Sequence, residues 1–187
     1  MPNTDVSICN SALISIGADR ITSLIDGTEA AILCNEIFNS ERDALLEEHR
    51  WNFAIKRVAL ALEDVTPAHG YYYSYALPAD YRAVIDLGDN SGPYVIEGQS
   101  LLTSDTEVNL QYVARVIQPA LWPDTFCRAL AGRIAKKLAP KMEASSTTTE
   151  RLLMEADRSL LTAKTVDAVN SGKPTPKRPS AFINARR

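Results

Sequence analysis

Cysteines, histidines and long apolar runs are scarce in this sequence, and each scarcity argues against a class of protein. There are three cysteines, Cys9, Cys34 and Cys127, and two histidines. Because no Cys-x-x-Cys spacing occurs, a zinc or dithiol redox motif is not indicated. We expect the three thiols to be reduced and buried, as in a protein made in the cytosol. No apolar run approaches the roughly 18 residues of a membrane span, and the first residues lack the features of a secretion signal.

Sequence motifs of catalysis are missing as well. There is no glycine-rich phosphate loop and no nucleophile elbow. Glu47, Glu48 and His49 are adjacent and would point in different directions on a helix, whereas helical metal motifs place their ligands one turn apart. His69 lies in a predicted loop with no activated Ser or Cys near it, which indicates a surface histidine. The sequence therefore predicts no catalytic residue, no metal and no cofactor, and we expect the protein not to be an enzyme.

Charge is distributed unevenly along the chain. The net charge is −3, yet residues 170–187 carry five basic residues and no acid. Setting those five charges aside leaves −8 on residues 1–169. An acidic body argues against a surface that grips nucleic acid, whereas a basic, proline-rich tail is typical of an arm that docks on a partner. The candidate docking residues are Lys173, Lys177, Arg178, Phe182, Arg186 and Arg187.

Hydrophobic periodicity predicts four helices, over residues 5–16, 28–50, 124–142 and 148–169. Over residues 55–116 the period shortens, and turn signals separate several short strands. The predicted fold is α+β and mainly α: a four-helix bundle with a small antiparallel β-region inserted between helices 2 and 3. We expect residues 1–169 to form this domain and residues 170–187 to form an extended C-terminal arm.

Two aromatic side chains mark the point where the second helix hands over to the β-region. Trp51 and Phe53 directly follow the apolar stripe of that helix. Aromatic side chains of this size bury about 150–250 Å² each. We therefore predict that Trp51 and Phe53 are structural anchors that hold the helices and strands together.

Four tyrosines form the densest aromatic cluster of the sequence. On a strand, Tyr71, Tyr73 and Tyr75 would share one face and Tyr72 the other. Such a face is suited to stacking on bases or sugars, or to a protein interface, where tyrosine is enriched. The acidic body favours the interface, so Tyr71, Tyr73 and Tyr75 are interface candidates.

A series of residues in a fixed order resembles a known family. The first part is Asn10-x-Ala12-Leu13-x-x-Ile16-Gly17, Ile21-x-Ser23-Leu24, and Arg42-Asp43-x-Leu45-Leu46 leading to Trp51-x-Phe53-Ala54. The second part is Tyr75-x-Leu77-Pro78-x-Asp80-x-Arg82, Tyr112, and Phe126-x-x-Ala129-Leu130-Ala131. Over about residues 3–170 the chain resembles the tail tubular protein A family, the head-to-tail adaptor of short-tailed bacteriophages.

The resemblance implies a structural role rather than a catalytic one. It implies a four-helix bundle with an inserted β-region, assembled into a ring of twelve copies between the portal protein and the tail nozzle, a protein like tail tubular protein B. The ring would extend the channel through which DNA passes without specific binding. It implies a location in the virion, at the head–tail junction, after synthesis in the host cytoplasm, and no membrane partner. The C-terminal arm, here Lys173–Arg187, would reach the portal.

Two other functions are compatible with parts of the sequence. A tail-associated peptidoglycan hydrolase would need a pair of acids, for which the candidates are Asp80 with Asp86 and Glu97 with Asp105. Pairs of this kind are expected by chance in a chain with 23 acidic residues. A nucleic-acid-binding module would use the tyrosines and the basic tail, and its affinity would fall steeply with salt.

We predict that deletion of residues 170–187 leaves the body folded and weakens docking on the partner, because the composition of this segment does not support a core of its own. Thermal unfolding and a pull-down with the portal measure the two effects. A large loss of melting temperature would contradict the prediction.

Overall fold

The structure is a computed structural model that describes residues 3–88, 91–142 and 145–171. These residues form four α-helices: α1 (Asp5–Ile16), α2 (Glu29–Glu48), α3 (Asp124–Leu138) and α4 (Ser146–Asn170). They also form seven strands between α2 and α3: β1 (Ile55–Ala59), β2 (Ala61–Leu62), β3 (Tyr73–Ala76), β4 (Tyr81–Asp86), β5 (Tyr94–Glu97), β6 (Ser100–Thr103) and β7 (Asn109–Ala114).

Local signals fix both ends of α1 and the loop that follows it. The Thr4 hydroxyl accepts a hydrogen bond from the Ser7 amide at 3.1 Å and so caps the first turn. Gly17 ends the helix with a φ of 82°, a left-handed conformation that glycine adopts without strain. The Asn10 side chain accepts from the Ile21 amide at 2.8 Å and donates to the Ile21 carbonyl at 2.9 Å. This clasp holds the loop against α1 and places Ile21 in the core.

α3 is the central helix of the helical layer, because it packs against α1, α2 and α4. Its buried face includes Phe126, Leu130 and Ile134. α4 lies close to α3 at Gly132, where an added Cβ would lie 3.2 Å from the Cα of Ala156. Glycine at this position permits the close contact between the two helices.

The seven strands form two antiparallel sheets. The inner sheet has the order β1-β7-β4, and the outer sheet has the order β2-β3-β6-β5. In the inner sheet Ile55 pairs with Val113, so the first and last strands of the β-region are neighbours. In the outer sheet Tyr75 pairs with Leu101.

Burial of both faces of β7 makes the structure layered. Val113 belongs to the core that the helices share, whereas Leu110 and Tyr112 belong to a second core. Tyr75 and Leu101 of the outer sheet pack into that second core. The layers therefore run from the helices to the inner sheet and then to the outer sheet.

The prediction of a four-helix bundle is wrong. The described chain has two helices, then two antiparallel sheets, then two helices. The helical core is closed in part by the inner sheet, through Val113 and the partly buried Ala83 and Ile85. The β-region is therefore a structural layer of the domain rather than a small insertion into a bundle. Periodicity identifies the apolar face of a helix but not the element that covers it.

The bounds of α3 and α4 differ from the predicted ones. α3 ends at Leu138 instead of residue 142, because Pro140 has no amide to continue the helical hydrogen bonds. α4 runs to Asn170, and the Ser171 hydroxyl donates to the Asn52 side chain at 3.1 Å. The candidate docking residues Lys173, Lys177, Arg178, Phe182, Arg186 and Arg187 lie outside the described residues.

Trp51 lies between the helices and the start of the inner sheet. Its side chain is 1% exposed, and its indole Nε1 donates to the Leu45 carbonyl at 2.7 Å. The Phe126 ring of α3 meets it edge-on, with centroids 5.1 Å apart, and also meets Phe53 at 4.9 Å. Edge-to-face pairs of this kind are favourable beyond their buried area.

We expect Trp51→Ala to lower the free energy of unfolding by about 3–5 kcal/mol, because it leaves a large cavity and an unpaired carbonyl. The control is Tyr72→Ala, which removes an aromatic side chain that is 73% exposed and should change stability by less than about 0.5 kcal/mol. Urea unfolding of both variants measures the difference. Equal stability of the two variants would show that Trp51 is not an anchor.

Candidate functional site

A single carboxylate joins the helical layer to the inner sheet. Asp43 of α2 lies 2.7 Å from its neighbour Arg42, 3.1 Å from Arg82 of β4 and 2.8 Å from Arg115, which follows β7. The side chain of Arg42 is 5% exposed. We call these four residues the arginine junction. Three guanidinium groups from separate parts of the chain thus converge on one acid.

A β-bulge directs Arg82 to this junction. Tyr81 lies opposite Ala114 and Ala83 lies opposite Val113, so Arg82 is an extra residue in the pairing of β4 with β7. A bulge changes the direction of the side chain at the extra position. Arg82 therefore donates to Asp43 at 3.1 Å.

Two acids, Asp43 of the junction and Asp80 close to β4, have cationic partners that favour their ionised form. Burial alone would raise the pKa of Asp43, but hydrogen bonds from Arg115 and Arg42 outweigh it and hold the pKa below its usual value. Asp80 accepts from Lys56 at 2.6 Å and from the Tyr112 hydroxyl at 2.9 Å. Burial, and then the bond to Asp80, raise the pKa of Tyr112 to about 12.

Ion pairs also link the helices on the other side of α2. Arg133 of α3 pairs with Glu41 at 3.1 Å and with Glu48. Lys164 of α4 pairs with Glu48 at 2.9 Å. Glu48 therefore connects α2 to both C-terminal helices.

A buried acid fixes the end of α4 to the turn after α2. Asp167 accepts from the Asn52 amide at 3.0 Å and lies 3.2 Å from Nε2 of His49. The Asn52 side chain in turn donates to the Asp167 carbonyl at 2.6 Å. His49 is thus a structural partner of α4. Among the described residues no group of three His, Cys, Asp or Glu side chains is placed to hold a metal ion, so Glu47, Glu48 and His49 do not form a ligand set.

The acids proposed as glycosidase pairs are kept apart by the strands. Asp80 and Asp86 lie before and at the end of β4, which at about 3.3 Å per residue separates them by roughly 20 Å. Glu97 pairs with Ser100 at the turn of the β5–β6 hairpin, while Asp105 follows the opposite end of β6. Carboxylate pairs in these enzymes lie about 5–10 Å apart, so neither pair has the required geometry.

The tyrosines do not form one exposed face. Tyr75 is 2% exposed and its hydroxyl donates to the Asp105 carbonyl at 2.9 Å, so it is a core residue and not an interface residue. Tyr71 precedes β3, and Tyr73 packs against the second core. Tyr72, predicted to lie on the opposite face, is the exposed one. The prediction missed this because it assumed a longer strand, whereas β3 begins at Tyr73.

The outer sheet carries a cleft that the sequence did not reveal. The cleft has a volume of about 580 Å³ and lies between the outward face of the sheet and the loop 65–71. We call it the outer cleft. Its lining residues are Glu63, Val65, Pro67, Ala68, His69, Gly70, Tyr71, Ser74, Glu97, Ser100 and Leu102.

Glu63 is held in the outer cleft as a carboxylate. The hydroxyl of the buried Ser74 donates to its Oε2. Hydrogen bonds from Ser74 and then Ser100 hold the pKa of Glu63 below its usual value. The general acid of a glycosidase needs the opposite shift, so this carboxylate is suited to binding a cation rather than to donating a proton. The alternation of Ser74 and Ala76 with Tyr73 and Tyr75 was the available sequence signal, since it marks a polar outer face.

α4 exposes an apolar stripe on the side away from α3. Ala156 and Ala163 are buried, whereas Met154, Leu161 and Val169 are exposed and recur at seven and eight residues. This spacing places the three on one face of the helix.

None of the helices in the described part of the chain has the length and apolar character of a membrane-crossing segment.

No model of a known protein family matches this chain, and no curated protein matches it significantly. The functional argument therefore depends on the residues themselves and on the geometry described above.

We expect Asp43→Asn to lower the free energy of unfolding at pH 7 by about 2–4 kcal/mol, because it leaves three guanidinium groups, one of them buried, without their counter-charge. The pKa of Asp43 is lowered in the folded protein, so its contribution is present above the unfolded value of about 3.9 and is lost as pH falls through the folded value. The stability difference between wild type and variant should therefore shrink below about pH 4.

Urea unfolding at pH 7 and at lower pH measures this difference. The matched control is Asp157→Asn, at an exposed position of α4, which should change stability by less than about 0.5 kcal/mol. A junction variant as stable as this control would contradict the role of Asp43.

Proposed function

We propose that this protein is a ring-forming adaptor that joins the portal to the tail nozzle of a short-tailed phage and extends the DNA channel. In this proposal it acts by shape and binding and turns over no substrate. The supporting observation is the location of the residues that resemble the tail tubular protein A family. They contact one another within the helical layer, within the inner sheet and between the two layers.

Contacts between individual residues of the resemblance support the proposal. Asn10 clasps Ile21, and both belong to the first segment of the resemblance. Arg42, Asp43 and Arg82 belong to the next segments and form most of the arginine junction. A protein that bears load between two partners needs its layers fixed to each other, and these residues perform that task here.

Further residues of the resemblance serve the same task. Trp51 packs edge-on against Phe126, and Asp80 accepts from Tyr112. All four have partners within the chain. The four-helix bundle that the resemblance implied is not part of this proposal. The proposal depends on the residues that occur in the order typical of the family, and on the contacts between them.

A ring subunit also needs surfaces for its neighbours. A ring with head-to-tail contacts uses two different patches on each copy. The exposed stripe of Met154, Leu161 and Val169 on α4 is one such patch in this proposal, and a second copy of the chain is its occupant. The net charge of −8 on residues 1–169 is suited to a lumen that repels DNA and lets it slide.

The alternatives have less support from the geometry. For a peptidoglycan hydrolase, strands separate the members of each predicted acid pair. The pKa of Glu63 in the outer cleft is lowered, whereas a general acid needs a raised pKa. For a nucleic-acid-binding module, the three-tyrosine face does not exist, because Tyr75 is buried. For an adaptor we expect cell-wall zymography to show no zone of clearing. We also expect its affinity for DNA not to change with salt.

We predict that the full-length protein, mixed with the purified portal of its phage, forms a closed ring of twelve copies on the narrow end of the portal. Light scattering would show the added mass of twelve chains of 20.5 kDa each, and electron microscopy would show the ring. A chain that stays monomeric and leaves the mass of the portal unchanged would overturn the proposal.

A pair of variants tests the contact between copies. Leu161→Glu places a charge in the apolar stripe and should prevent ring closure while leaving the melting temperature within a few degrees of wild type. Thr162→Glu adds the same charge about 100° around the helix and should assemble normally. Equal assembly by both variants would show that α4 does not form the contact.

A further inference from the structure

We propose that the outer cleft binds an arginine side chain presented by a partner protein. The floor of the cleft is the outward face of the outer sheet, and residues of the loop 65–71 line its side. The inference rests on the proposed function only for the identity of the partner, which would be a protein next to the ring. The binding chemistry itself follows from the lining residues.

The charge of the outer cleft is one-sided. Two carboxylates, Glu63 and Glu97, line it, and among its described lining residues none is Lys or Arg. Asp43 of the arginine junction and Glu48 of α2, by contrast, have cations within the chain. Glu63 instead accepts from the hydroxyl of Ser74, which orients the carboxylate and supplies no positive charge. A ligand that supplies the missing positive charge is therefore favoured.

Hydrogen-bonding capacity narrows the kind of cation. Because Ser74 donates its hydroxyl proton to Glu63, this part of the cleft floor offers acceptors: the carboxylate oxygens and the remaining lone pairs of the Ser74 hydroxyl. A guanidinium group has five N–H donors in a planar fork and pairs with a carboxylate through two parallel bonds. An ammonium group has three donors on one atom and fits such a floor less well.

The walls suit the rest of an arginine side chain. Val65, Pro67 and Leu102 supply apolar surface along which the three methylene groups of arginine can lie. Tyr71 adds an aromatic ring, the kind of group on which a guanidinium stacks. Val65 of the cleft wall and Tyr72, next to Tyr71, are both largely exposed, and exposed apolar surface of this kind is typical of a protein contact rather than of a site for a free small molecule.

The experiment uses the full-length protein labelled with ¹⁵N and two soluble probes. The first is Nα-acetyl-arginine methylamide, and the second is its citrulline analogue, which has nearly the same shape and no charge. We expect the arginine probe to shift the amide signals of Ser74, Ser100 and Leu102 with saturation in the millimolar range, and the citrulline probe to leave them unchanged.

Three variants locate the interaction. Glu63→Gln and Glu97→Gln each remove one charge from the cleft and should weaken binding of the arginine probe by about tenfold or more. Glu97 is exposed, so its variant keeps the test meaningful if Glu63→Gln is unstable. Glu155→Gln removes an equal charge from the exposed face of α4 and should bind as the wild type does.

Several results would overturn the inference. These are equal binding of the citrulline probe, signal shifts confined to other parts of the chain, unchanged binding by both cleft variants, or shifts of the cleft amides by a chitin oligosaccharide and not by arginine. The ring experiment with the portal is independent of these measurements. A chain that forms the ring but ignores arginine refutes only this inference, and a chain that binds arginine in the cleft but forms no ring refutes only the adaptor.

Discussion

The structure depends on one electrostatic constraint: the carboxylate of Asp43 must be present for three arginines to meet. Arg42 is almost completely buried, and a buried guanidinium without a counter-charge would be costly. Arg82 and Arg115 come from the inner sheet and from the segment that leads back to the helices. A single side chain of α2 thus ties the helical layer to the sheet by ion pairs, and the Trp51–Phe126 pair adds hydrophobic contact near the same boundary.

The fold has two hydrophobic cores that differ in size and composition. The core around α3 is large and holds Phe38, Leu45 and Trp122 among many others, and residues of all four helices contribute to it. The core between the sheets is smaller and combines aliphatic side chains with the hydroxyl groups of Tyr75 and Tyr112, each of which has an acceptor. The outer sheet is thereby held firmly on its inner face while its outer face remains available for a polar surface.

Sequence reasoning identified single elements better than the relations between them. The stripe of Cys127, Leu130 and Ile134 is the face of α3 that is buried, because a helical period of 3.6 residues is visible in one sequence. The layered arrangement was missed because it depends on both faces of β7 being buried, and the consecutive Tyr112, Val113 and Ala114 were its only signal. The arginine junction depends on a bulge at Arg82, and the outer cleft depends on the position of the loop 65–71. Neither feature can be recognised from a short sequence motif.

The pairing of β1 with β7 has a consequence for how this molecule can vary. Ile55 and Val113 are cross-strand neighbours, so the chain leaves the helical part and returns to it at nearly the same point. Loops between these strands can lengthen or shorten while the gap bridged between α2 and α3 keeps its size. Two relatives with the same helical frame could therefore carry outer sheets of different reach, and a change of partner would require new outward loops rather than a new scaffold.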